Sequence, residues 1–359
     1  MIFIVWSICC AIQIAFTLYL TIPFFFTKKN KGEGTFPSIS IIIAARNELE
    51  NLKKLIPLLL SQNHDDYQIV VALDRCEDQS VNYLQKLNSE KIKFIDIKDV
   101  PADWNPKKFA LHTAIKQSDS EWLAFTDADC CPVSKDWLAT LCWQIKPQTE
   151  IVLGISPYES NNSFLSQFIR FEAFMTAFQY ISKVLRGKPY MGVGRNMAIK
   201  RSTFVNAGGY YSIKSIKGGD DDLLIQKIAT PSNTSVVLGK DSLMISHPKK
   251  TWKEYWNQKT RHLSVGTSYK PADQLFLSTF HLSHLLCFVL LLFNPSYTYF
   301  FPLLLFYLFI KLVSYRFVAA KMGTGFNYML LPLVDMLYAV LIPVIALWSK
   351  LVKDIPWKN

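Results

Sequence analysis

Charge is sparse in this 359-residue chain. Asp, Glu, Lys and Arg make up 19% of it, against about 25% in an ordinary soluble domain, and the first 26 residues carry none. A disordered chain is excluded, because such chains are poor in aromatics, whereas 14% of these residues are aromatic and 50% hydrophobic. The seven cysteines form no C-x-x-C pair. That argues against a zinc site or a disulfide frame and fits a reducing cytoplasm. No G-x-G-x-x-G follows the first strand and no G-x-x-x-x-G-K-S/T occurs, which disfavours a dehydrogenase-type dinucleotide fold and a P-loop. No internal repeat is evident, which speaks against a membrane carrier or receptor of carrier type, the non-enzyme alternative. Basic residues outnumber acidic ones 39 to 28, a formal +11. Anionic lipid and phosphate explain that excess more simply than nucleic acid does.

What is present collects at the two ends. Met1 to Phe26 as a helix would be about 39 Å long, enough for a hydrocarbon core of about 30 Å. A cleaved signal peptide would have a basic start; here Lys28, Lys29 and Lys31 follow the apolar run. The Lys/Arg bias therefore puts the N-terminus outside and the next segment in the cytoplasm. A second apolar block, 275–351, divides near Asn294-Pro295 and Lys321–Gly325. Its stretches Leu275–Phe293, Tyr297–Ala320 and Phe326–Trp348 are each long enough to span. Three late crossings would leave Lys350, Lys353 and Lys358 outside, against the bias. Either one late segment lies in the interface or the number of crossings differs; Leu275–Phe293, with His281 and His284, is the candidate for lying flat. Asp335 is costly in lipid and is expected to bond within the bundle rather than to serve transport.

Between these ends, residues 36–270 read as an α/β domain. The short apolar runs Ser38–Ala45 and Gln68–Leu73 look like buried strands, and Ile92–Ile97 and Trp122–Thr126 look like a third and a fourth strand. They alternate with helical patterns over Asn47–Ser61, Ser80–Leu87 and Lys107–Gln117. Such alternation implies a mostly parallel sheet with helices on its faces, and ligands bind beyond the carboxyl ends of its strands. Those ends carry acids: Glu48 after the first strand, Asp74 and Asp78 after the second, Asp127 and Asp129 after the fourth. Carboxylates at i and i+2 suit one hard cation, which would neutralise a diphosphate. Asp220, Asp221 and Asp222 precede a helix. Caps account for one or two of them, and a third can point into the cleft as a general base. The stretch Trp252–Leu263 reads as an amphipathic helix at the membrane surface. Gln258 and Arg261 share a face of it and can meet a diphosphate or an acceptor. Phe164–Ile181 is strongly aromatic and reads either as a core-facing helix or as an interfacial one presenting an embedded acceptor.

At these residues the chain resembles the membrane-bound inverting glycosyltransferases of the large nucleotide-sugar family, family 2 type, which includes cellulose, chitin and hyaluronan synthases and ceramide glucosyltransferase. "SISIIIAARNELENL" resembles that family's opening strand and nucleotide-binding loop, which includes Glu48. "VALDRCEDQSVNYL" is similar to its D-x-S-x-D-x-T segment, which implies Asp74 at the uracil end of the nucleotide. "NPKKFALHTAI" resembles the G-K-x-x-A-L element, with Pro106 where the glycine usually sits, so either Lys107 or Lys108 would face the phosphates. "FTDADCCP" matches the metal-binding D-x-D at Asp127 and Asp129. "GGDDDLLIQKI" resembles the E-D motif, with Asp220 in the first position and Asp221 as base. "QKTRH" resembles Q/R-x-x-R-W at Gln258 and Arg261, with His262 in place of Trp. The resemblance runs from Ser38 to about Tyr269.

It implies a GT-A type nucleotide-sugar-binding domain flanked by transmembrane helices, a multi-pass protein of a bacterial cell membrane with its catalytic domain in the cytoplasm. It further implies transfer of a sugar from a nucleotide-diphosphate donor, a UDP-sugar, to a lipid or glycan hydroxyl with inversion, assisted by Mg²⁺ or Mn²⁺. A processive polysaccharide synthase is the enzymatic alternative, but three or four crossings are few for a polymer channel.

Overall fold

The computed structural model describes residues 1–28, 36–293 and 297–352. Lys29, Lys31, the Asn294-Pro295 break, Lys353 and Lys358 lie outside these. The chain divides into two compact units: Met1–Thr27 with Ser160–Ser182 and Pro248–Asn359, and Lys28–Glu159 with Lys183–His247. In chain order the helices are α1 (Ile2–Thr21), α2 (Leu49–Leu60), α3 (Ser80–Leu87), α4 (Pro106–Lys116), α5 (Trp137–Cys142) and α6 (Phe164–Leu185). They continue as α7 (Arg201–Asn206), α8 (Asp222–Ile228), α9 (Trp252–Ser264), α10 (Pro271–Val289), α11 (Tyr297–Met322) and α12 (Leu331–Leu351).

The second unit is built on a sheet in which one inner strand, β1 (Ile39–Ala45), is buried along its whole length. A strand without a polar face needs cover on both sides. Ile39, Ile41, Ile43 and Ala45 join Leu52, Leu55, Ile56 and Leu59 of α2 in one apolar cluster, and α4 packs against β1 as well. Parallel neighbours flank β1: β2 (Tyr67–Asp74), then β3 (Ile92–Ile97), on one side and β4 (Trp122–Phe125) on the other. Beyond β4 come β7 (Met197–Lys200), β6 (Ile151–Leu153) and β8 (Thr234–Val236). Of these seven, β7 alone runs antiparallel, so the sheet is mostly parallel. A ribbon of β5 (Cys130–Pro132) and β9 (Met244–Ser246) stands apart from it. Because β7 is reversed, its first residue, Met197, pairs with Phe125 at the end of β4. The residues before β7 therefore join those after β1, β2 and β4 along one edge, and that edge holds the acids.

Among the described residues, the first unit contains four helical stretches long and apolar enough to cross a membrane: Ile2–Phe26, Pro271–Phe293, Phe301–Met322 and Tyr328–Leu351. Several of its polar groups are paired inward. Gln13 Nε2 donates to the Phe280 carbonyl (2.7 Å) and to Ser283 Oγ (2.9 Å). Lys311 Nζ lies 2.9 and 2.8 Å from the two oxygens of Asp335. His284 Nε2 is 3.1 Å from the same carboxylate, and the Tyr307 hydroxyl donates to it at 3.2 Å. Asp335 is thus bonded within the bundle. His284, one of the two polar residues that single out Leu275–Phe293 as an interfacial segment in the sequence, has its partner there too. On α6 the aromatic stripe is a packing stripe. Phe171 stacks edge-on to Phe326 and Tyr338, and Phe174 to Tyr315. Lys259 of α9 pairs with the buried Glu172 of α6 at 2.6 Å.

Asp335→Ala would leave Lys311 buried without its counter-ion, with His284 Nε2 at 3.0 Å still beside it, and is expected to cost about 3–5 kcal/mol. The double substitution Lys311→Met with Asp335→Leu, which replaces the pair by apolar side chains, should recover most of that. Thermal unfolding in detergent measures both; a single variant as stable as the parent would contradict the pairing.

Candidate active site

The site is assembled from the edge where β1, β2 and β4 end. Helix α4 opens on Asn105, whose side-chain oxygen accepts the Lys108 N–H. Pro106 takes the first helical position, where its fixed φ suits the helix and its missing N–H costs nothing. Successive helical residues point about 100° apart, so Lys107 and Lys108 diverge. Lys107 Nζ lies 2.8 Å from Asp220 Oδ2 and 3.1 Å from Asp127 Oδ1. Lys108 is fully buried, and its ammonium donates to the carbonyls of Ile213 (2.8 Å), Ile216 (2.7 Å) and Gly218 (2.6 Å). The lysine that faces the acids is Lys107. The expected phosphate-facing role does not suit Lys108, whose three protons are all committed to carbonyls.

The carboxylates of the cluster are pushed apart in acidity. Burial opposes ionisation of Lys107, Asp220 and Asp221 alike. For Lys107 the charges of Asp127, Asp220 and Asp221 outweigh it and hold the ammonium well above its ordinary pKa. For Asp220 the Lys107 charge and hydrogen bond win, and its pKa falls. Asp221 goes the other way: burial and then the neighbouring Asp220 charge raise it. As the cap of α8, Asp221 accepts the Asp222 N–H at 2.9 Å and the Gly194 N–H at 2.7 Å. A side chain at Gly194 would meet the Asp221 carboxylate at 3.3 Å, so glycine permits that approach. Capping and cluster membership therefore coincide in one residue, held with lone pairs to spare.

Asp127 and Asp129 follow β4 directly. Beside them stands a cation the sequence reading passed over, Arg195. Its guanidinium lies over the Tyr158 ring (4.6 Å to the centroid) and donates to the Ser156 carbonyl at 3.3 Å. Burial opposes its charge, but Tyr158, Cys130, Asp127 and Asp129 together raise its pKa. Asp127 and Asp129 offer only carboxylate oxygens, the donors a hard divalent ion prefers. Among the described residues no three His, Cys, Asp or Glu side chains gather as a metal cage. Two carboxylates are a partial donor set of the kind that Mg²⁺ completes with water and substrate phosphates.

The loops after β1 and β2 form a second part of the edge. Asn47 and Arg75 sit at φ 53° and 46°, a left-handed conformation costly for such residues and typical of ligand clamps. Asn47 Oδ1 accepts the Glu77 N–H (2.8 Å) and Asp78 Oδ2 accepts the Leu49 N–H (2.9 Å), stitching the loops together. Asp74 is fully buried, and Arg75 donates to both its oxygens at 2.7 and 3.1 Å. Glu48 accepts from Asn51 Nδ2 at 2.5 Å. Tyr210 was also missed by the sequence reading. It is fully buried, its hydroxyl has no hydrogen-bond partner among the described residues, and its pKa is raised by burial, then by Asp220. Gln258 and Arg261 lie one turn apart on α9, in the other compact unit.

Residues 40–206 match the family described as "Glycosyl transferase family 2", a stretch that ends before Asp220. Two Staphylococcus aureus proteins named 4,4'-diaponeurosporenoate glycosyltransferase, from strains RF122 / ET3-1 and USA300, are 26% identical over 132 residues, 36% of this chain. The chain thus spans about a third, 34%, of those relatives' length. Among solved structures, a mannosyltransferase from Pyrobaculum calidifontis in complex with GDP-Man and Mn²⁺ aligns over 96% of this chain and 99% of its own, at 15% identity and TM-score 0.61.

A buried hydroxyl without a partner costs about 1–3 kcal/mol. Tyr210→Phe is therefore expected to raise the melting temperature of the ligand-free protein; a fall in calorimetry would mean that the hydroxyl is bonded.

Proposed function

We propose that this chain, which carries a glycosyl transferase family 2 domain in a GT-A fold, moves a sugar from a nucleoside-diphosphate donor to an acceptor hydroxyl with inversion at the anomeric carbon. One observation carries the reading. The Lys107 ammonium touches Asp127 and Asp220 at once, and so joins the D-x-D pair to the pair that contains Asp221.

In this reading the nucleoside end occupies the stitched loops after β1 and β2, beside Glu48 and Asp74. The diphosphate lies by Lys107 and Arg195, whose charges offset what builds up on it as it leaves. Asp127 and Asp129 would hold Mg²⁺ or Mn²⁺, which when bound supplies Lewis-acid neutralisation of the diphosphate. Asp221 takes the proton of the acceptor hydroxyl. The acceptor oxygen bonds to the anomeric carbon as the carbon–oxygen bond to phosphate breaks, and the electron pair departs with the nucleoside diphosphate. The raised pKa of Asp221 makes its carboxylate a stronger base toward that proton than an ordinary aspartate.

We take the donor as a UDP-sugar and the acceptor as lipid-linked, in a cytoplasmic catalytic domain on a bacterial membrane. Support for the acceptor comes from the chain's own membrane-type helices and from α6, a segment between β6 and β7 in sequence whose residues up to Ser182 group with those helices.

Three measurements test this. Nucleotide release should follow addition of one class of donor from a panel of UDP- and GDP-sugars, the GDP-mannose of the structural neighbour included, and should fall with EDTA. Asp221→Asn should abolish transfer while donor binding stays near normal; substantial turnover removes Asp221 from the role. In a pH profile of kcat/KM, activity should be lost as pH falls through a value above the ordinary aspartate pKa of about 3.9. Asp220→Asn removes the charge that raises Asp221, so its acid limb should move to lower pH; an unmoved limb would assign it to another group.

A further inference from the structure

We propose that Lys108 is a positioning residue for the Asp220–Asp221 pair, and that the two neighbouring lysines of α4 divide the work between charge and placement. The inference rests on the reading of the site given above. The segment between α7 and α8 is bounded by two glycine pairs, Gly208–Gly209 and Gly218–Gly219, all four at positive φ. Such residues turn without steric penalty, so chain stiffness does not fix where the segment delivers Asp220 and Asp221.

Its placement comes from α4 and the loop before it. The Lys108 ammonium collects three carbonyls of the segment, those of Ile213, Ile216 and Gly218, at 2.6–2.8 Å in a fully buried setting. The Asn105 N–H donates to the Lys214 carbonyl at 2.6 Å. Lys214 pairs with Asp103, and the Trp104 ring meets Tyr211 edge-on. The last carbonyl held, Gly218, is two residues before Asp220. A charge-assisted bond is about twice as strong as a neutral one, so three converging on one nitrogen are the main anchor of the segment. One turn of helix thus presents Lys107 to the acids while Lys108 holds the chain that carries them.

The test compares K108M, K108Q and K108R in the full-length protein in detergent, with donor KM and kcat measured separately. Loss of the anchor displaces the base and not the donor. K108M is therefore expected to lower kcat about 100-fold with donor KM nearly unchanged. K108R and K108Q, which keep N–H donors, should recover activity in that order, and the acid limb of the pH profile should return with them. A raised donor KM at constant kcat would make Lys108 a phosphate ligand and overturn the proposal, as would parent-like kinetics in K108M. If K108M does not fold, the order of K108R over K108Q decides, and equal rates sink the idea. Hydrogen exchange of residues 213–218 needs no turnover. Faster exchange in K108Q supports the anchor even if no sugar donor is ever consumed, an outcome that would defeat the functional reading alone; unchanged exchange defeats the anchor.

Discussion

A single ammonium decides how this site is organised. Two acids after β4 and two before α8 come from distant parts of the chain, and like charges brought together in a half-buried edge repel. Lys107 makes their meeting stable by offering one positive charge to Asp127 and Asp220 together. Nearby charge also sorts the acids. Asp220, bonded to the cation, is held ionised, while Asp221, bonded to backbone N–H groups instead, bears the repulsion of its neighbour. Adjacent carboxylates thereby differ in proton affinity without differing in type, which is the usual physical route to distinct acid–base roles in one cleft.

The sheet supplies the edge on which this happens. Parallel strands aim their carboxyl ends in one direction, and an insertion of one reversed strand brings the residues before β7 to the same place. Gly194 and Arg195 reach the site by that reversal. Without it, Asp221 would lack one of its two backbone donors and Asp127 and Asp129 their neighbouring guanidinium.

Much of this was legible in the chain. The runs ending at Ala45, Asp74 and Phe125 have the largely apolar character of doubly covered strands, whereas Ile92–Ile97 carries Lys93 and Asp96 and is mostly half-buried; helix α3 falls where its pattern predicts. The acids at strand ends followed from that register. β5, β6, β8 and β9 are three residues long, too short for any period to declare itself. The split between Lys107 and Lys108 depends on helix phase, which Pro106 fixes at its first position but which composition does not reveal. Tyr210 and Tyr211 stand side by side in sequence, yet one is fully buried and the other 55% exposed, a difference set by distant packing. Arg195 was hidden for the same reason, since its partners Tyr158 and Ser156 come from another part of the chain. The aromatic pattern of α6 announced a helix; that its stripe packs against Tyr315, Phe326 and Tyr338 is a tertiary fact.

The Lys311–Asp335 pair has a consequence for how the protein is made. A lone Lys or Asp at mid-membrane costs about 2.5–3.5 kcal/mol on insertion scales. Lys311 of α11 and Asp335 of α12 are both buried, and either alone would make its helix a reluctant guest in lipid. Lys311 leaves the ribosome first, and its counter-ion follows 24 residues later. Were both helices to cross a bilayer, entering together as a hairpin that turns at Gly323, where φ is 74°, would spare lipid either charge alone.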